Sequence, residues 1–88
     1  MISIEALREH EYLVTVESGR TTTHQVTVKP DDYQRLTGGD QPVEQLIRAS
    51  FEFLLEREPN TSILREFDLM VIQRYFPEYE RVIKSRFG

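Results

Sequence analysis

The stretch that most constrains this chain is residues 11–28, where two runs of strict alternation flank a glycine turn. Tyr12, Val14 and Val16 alternate with Leu13, Thr15 and Glu17. A period of two sends successive side chains to opposite faces of a strand, and β-branched residues fit that pleated surface. Ser18-Gly19-Arg20-Thr21 supplies the reversal, with turn-forming residue types. Beyond it Thr22, His24, Val26 and Val28 alternate with Thr23, Gln25, Thr27 and Lys29. The pattern predicts an antiparallel hairpin in which Tyr12, Val14 and Val16 face Val28, Val26 and His24 on the buried side. A lone hairpin is only marginally stable, so its apolar face needs a cover.

The cover is read from the residues that follow. Pro30 ends the second strand because it has no N–H for a ladder. Asp31 to Leu36 predicts a short helix whose first-turn acids suit the positive end of the helix dipole, and Gly38-Gly39 stops it. Asp40 is the expected cap of a main helix over 42–58, with Pro42 near its first position. Val43, Leu46, Ile47, Ser50, Phe51 and Leu54 recur on one helical face. Phe53 and Leu55 widen that face, which predicts cover on more than one side, by the helix's own domain and by a second subunit. Glu58-Pro59 closes the helix, since a residue before proline leaves the α region.

The two ends are less regular. Ile2 and Ile4 alternate like a strand, while Ser3 could equally cap a helical turn. Ser62 to Phe67 reads as a helical turn or as an extended segment. Asp68 is an expected cap for Leu69 to Phe76, with Leu69, Ile72 and Phe76 inward. Pro77 breaks that run and opens a last helix in which Tyr79, Ile83 and Phe87 recur at spacing four. The expectation is one α+β domain spanning 1–88: an antiparallel hairpin covered by the main helix, with one or two short C-terminal helices.

Size sets a further bound. A chain of 88 residues buries a thin core, and small domains often add a disulfide, a metal or a second subunit. There is no cysteine and there are only two histidines, so disulfides and thiolate metal sites are excluded. Oligomerisation is the staple that remains. No apolar run approaches the roughly 20 residues that span a bilayer, and the start lacks a signal-peptide pattern. A cytoplasmic protein with no membrane partner is expected. The net charge of −4 concentrates in residues 31–61, which hold seven acids against three bases. No lysine or arginine block offers the clustered positive charge that nucleic-acid binding draws on.

The residues that could carry chemistry have simpler roles. His24 lies on the predicted buried face and reads as a hydrogen-bonded structural histidine; His10, at the foot of the other strand near Lys29, reads as exposed. Asp31 and Asp32 are adjacent in a helix, so their side chains diverge by roughly 100° and form no catalytic pair. Gly38-Gly39 lacks the lysine and hydroxyl residue of a phosphate loop. No Gly-x-Ser-x-Gly elbow occurs. The expectation is a non-enzyme with no catalytic residues, cofactor or metal: an interaction module that binds itself or another protein.

Two resemblances add to this reading. The order strand, short helix, turn and longer helix over residues 23–58 is similar to that of the ribbon-helix-helix DNA-binding proteins. It is carried by His24-Gln25-Val26-Thr27-Val28-Lys29, by Pro30 to Leu36 and by Val43 to Phe51. That family is dimeric, and paired strands from two subunits enter the major groove. The resemblance implies a transcriptional regulator or antitoxin in which Gln25, Thr27 and Lys29 read bases; it stands as the alternative. The segment Ile63-Leu64-Arg65-Glu66-Phe67-Asp68-Leu69, followed by Val71-Ile72 and Arg74-Tyr75-Phe76-Pro77-Glu78-Tyr79-Glu80, looks like the signature of a family of small uncharacterised bacterial proteins. A hairpin beginning Glu11 to Val16 precedes the signature there too. It implies no activity, cofactor or site residue.

The tail is the most unusual region, because five of the nine aromatic residues fall in its last 22 positions. Arg65, Arg74 and Arg81 lie among them. Such mixtures are enriched at protein–protein hot spots, and a small domain also uses them to close its core. The core role leads. Arg65, Phe67, Arg74, Tyr75 and Tyr79 are the candidates for contact with a protein partner.

Overall fold

The alternating stretch forms the two central strands of a larger sheet. The computed structural model describes residues 1–88 and places β1 (Ile2–Arg8), β2 (Glu11–Ser18), β3 (Arg20–Thr27) and β4 (Glu66–Asp68) side by side in chain order. The first three strands form an antiparallel meander, and β4 joins β3 in parallel. Four helices complete an α+β chain: α1 (Pro30–Thr37), α2 (Val43–Leu55), α3 (Val71–Tyr75) and α4 (Tyr79–Phe87). A single 3-10 turn, Asn60–Ser62, leads from α2 towards β4.

The hairpin has the expected buried face but a different register. Tyr12 lies opposite Val26, Val14 opposite His24 and Val16 opposite Thr22, two residues away from the predicted partners. The cause is the turn. Ser18 and Arg20 already face each other, and Gly19 alone makes the reversal at φ +79°, a left-handed conformation that glycine takes without a Cβ penalty. Because the side-chain period is two, a slip of two leaves every side chain on its face. Val14, Val16, His24 and Val26 are accordingly buried.

Two strands at the ends were not specified by the sequence. Residues 2–8 resolve as a strand paired with β2, setting Ile2 and Ile4 opposite Val16 and Val14. Residues 66–68 resolve as β4, held by the Gln25 N–H to Arg65 O bond (2.7 Å) and the Leu69 N–H to Thr27 O bond (2.9 Å).

The main helix is shorter than 42–58. It stops at Leu55, and Glu56 to Glu58 finish as a turn whose N–H groups bond back to Glu52 and Leu54 carbonyls. Pro42, at φ −59° and ψ 143°, is the residue before the helix, and no side chain caps it; Asp40 does not serve. Its broad apolar face is covered twice by its own chain. Phe51 packs towards the sheet, with ring centroids 5.5 Å from His24 and 6.1 Å from Phe67. Phe53 packs towards the C-terminal helices, edge-on to Phe76 at 5.9 Å and to Tyr79 at 5.3 Å. The width of the stripe therefore needs no second subunit.

Asp68 does not cap α3 directly. Its Oδ1 accepts the Met70 N–H at 3.0 Å, which turns the chain from β4 into the helix. The sheet's other face carries Ser3, Glu5, Glu17, Thr21, Thr23 and Glu66, all exposed. No helix is long and apolar enough to cross a membrane.

Candidate functional site

The segment after α2 is pinned to the sheet by a chain of buried polar groups. Asn60 is 3% exposed, and its Nδ2 donates to Arg20 O at 2.8 Å and to Thr22 Oγ1 at 3.0 Å. Thr22 Oγ1 lies 2.8 Å from His24 Nε2, and His24 Nδ1 lies 2.7 Å from Leu64 O. A carbonyl only accepts, so Nδ1 carries a proton and donates to Leu64 O, while Nε2 bonds to the Thr22 hydroxyl. Neither ring nitrogen is left without a partner. His24 is thus the structural histidine expected, and its work is to hold Leu64 in place across 40 residues of chain. His10 is at the surface with φ +66°.

What this staple builds is one wall of an apolar groove of about 300 Å³. Leu54 from α2, Ile63 and Leu64 from the pinned segment, Phe67 from β4, and Ile72 and Tyr75 from α3 line it. Leu64 is 46% exposed and Tyr75 66% exposed, so two large apolar side chains stand at the opening without cover. Glu58 also faces the groove. Burial raises its carboxyl above the ordinary value, because charge is costly beside apolar walls.

The tail candidates divide sharply here. Phe67 and Tyr75 line the groove. Arg65 and Arg74 adjoin its lining residues Leu64 and Tyr75 in the chain; both are exposed, and neither forms an ion pair, unlike Arg57 with Glu78 or Arg86 with Glu52. Tyr79 is corrected: it is fully buried, and its hydroxyl lies 2.6 Å from Ser50 Oγ, so it belongs to the core. Burial holds its phenol well above the ordinary range, more than the Ser50 bond lowers it. Leu54 read only as part of the apolar face of the main helix, and Glu58, Ile63 and Leu64 carried no signal as groove residues, because Ile63 and Leu64 lie in a segment with no periodicity of its own.

The nucleic-acid candidates lie elsewhere. Gln25 and Thr27 point to the open face of β3, and β3 is bonded on both edges, to β2 and to β4. Gln25 Nε2 donates to Glu11 Oε1 at 2.9 Å, and its partners across the strands are Leu13 and Glu66. Thr27 lies between Glu11 and Asp68, and Lys29 Nζ is 3.2 Å from Asp68 Oδ2. Each of the three therefore sits beside a carboxylate, which repels phosphate.

No cluster of three or more histidine, aspartate or glutamate side chains is arranged to hold a metal. Comparison with protein-family models, curated proteins and solved structures finds no match.

Proposed function

We propose that this chain is a non-catalytic interaction module whose groove between α2, β4 and α3 takes an apolar side chain from a protein partner. The observation that carries the reading is the pairing of uncovered Leu64 and Tyr75 with two unpaired arginines beside them. Burying such an aromatic rim against a partner is favourable by about 25 cal/mol per Å² of apolar surface removed from water. Arg65 and Arg74 select the partner's chemistry: an apolar or aromatic anchor flanked by aspartate or glutamate.

Random peptides displayed on phage and selected on the immobilised protein test this. The expected winners carry one apolar anchor next to acids, and amide shifts on titration with a winning peptide cluster at Leu54, Leu64, Phe67 and Ile72. Tyr75→Ala should weaken that peptide more than about tenfold, the range of an interfacial aromatic, with the fold intact. Selected peptides that shift only the open sheet face would overturn the groove. For the ribbon-helix-helix alternative, duplex DNA should bind with steep salt dependence and lose affinity on Gln25→Ala.

A further inference from the structure

The sheet ends in two unlike edges. β4 is only three residues long, and shortness is itself a protection against stray pairing. β1 is seven residues long and lies at the outside of the sheet. Natural edges of that length are blunted by lysine, proline or a bulge. β1 has a bulge only between Ala6 and Arg8. From Ile2 to Ala6 it has no proline and one charge, Glu5.

The direction of its free groups follows from the ladder. Met1 and Glu17 exchange backbone hydrogen bonds at 2.8 and 2.9 Å. In an antiparallel pair such residues alternate with pairs whose N–H and C=O point away from each other. Ser3 and Glu5 therefore bond inward to β2, while the N–H and C=O of Ile2, Ile4 and Ala6 point to the open edge.

We infer that β1 pairs antiparallel with β1 of a second copy, with Ile4 on the two-fold axis. This surface is separate from the groove, and the inference stands without the groove's role. In that register Ile4 faces its own copy and Ile2 faces Ala6 of the second copy. Every outward N–H and C=O then gains a partner, and the two sheets become one. The side chains agree. Met1 and Leu7, 81% and 39% exposed, fall opposite each other twice. Glu5 faces Ser3 rather than its own copy, so the one charge meets no like charge. Moving the axis one residue to Glu5 would still pair outward groups, Ile4 with Ala6, but it would set the two Glu5 carboxylates opposite each other.

The Ser3–Glu5 pair offers a test that reads the register. Those positions form a pair not joined by backbone bonds, where side chains approach closely. Ser3 is exposed, so its replacement leaves the core alone. Light scattering across a concentration series should show a dimer for the natural chain. Ser3→Glu sets like charges opposite each other twice and should raise the dimer dissociation constant about tenfold. Ser3→Lys should lower it, and Ser3→Glu combined with Glu5→Lys should restore association. Circular dichroism confirms that each variant is folded. A single-chain mass at every concentration overturns the inference. So does a dimer indifferent to charge at position 3, or one abolished by Tyr75→Ala, which would place the second copy in the groove instead.

Discussion

Replacing Ser50 should cost more than removing the hydroxyl it meets, and the second change should then reverse sign. Ser50 Oγ donates to Leu46 O at 2.8 Å, so its hydrogen is already used. The bond to Tyr79 at 2.6 Å must therefore run from the phenol to the serine oxygen. Tyr79→Phe removes a donor and leaves an acceptor that is still engaged, which costs about 1 kcal/mol. Ser50→Ala leaves the phenol O–H with no acceptor where Tyr79 and Ser50 are both 0% exposed. An unsatisfied buried donor costs about 2 kcal/mol, offset by about 0.5 kcal/mol from alanine's better helix propensity. In the Ser50→Ala background, Tyr79→Phe removes the orphaned group and should stabilise by about 1 kcal/mol. Urea denaturation of the four proteins reads these values, and thermal unfolding should move by about 4–8 °C per kcal/mol for a domain of this size. If Tyr79→Phe destabilises both backgrounds equally, the two hydroxyls are not coupled and the donor assignment is wrong.

Three further outcomes are expected. Glu58→Gln should raise the melting temperature at pH 7 but not near pH 4. Burial raises the folded-state pKa of Glu58, so stability present below the unfolded value is lost as pH rises through the folded one; a scan showing equal gain at both pH values would refute this. His24→Leu should cost about 1–3 kcal/mol by orphaning the Leu64 carbonyl. Hydrogen exchange should then speed up at Gln25 and Leu69, whose amides join β3 to the β4 segment, before it does so in β2; uniform acceleration would contradict the staple. Arg35→Ala should cost no more than about 1 kcal/mol, because its bonds to Asp32 and Glu80 (3.0 and 3.4 Å) are partly exposed. Its loss should weaken with added salt, and a salt-independent loss would assign the effect to packing instead.

The sequence by itself determined the local elements. Alternation fixed which faces of β2 and β3 are buried, since a period of two survives even a slipped register. Apolar spacing located α2, and Pro77 separated α3 from α4. The glycine pair after α1 located its end, where Gly38 takes φ +81°. Tertiary structure decided what local pattern cannot encode. Residues 66–68 are a strand only because β3 offers an edge to pair with, and three residues carry no periodicity of their own. Ile2 and Ile4 were equally compatible with a turn until β2 lay beside them. Tyr79 and Tyr75 are the same residue type four positions apart, yet one is fully buried and the other 66% exposed. That difference comes from how α3 and α4 meet α2. The groove has the same origin: it exists because His24 and Asn60 hold a distant segment against the sheet, and contacts across 40 residues leave no mark on a local reading.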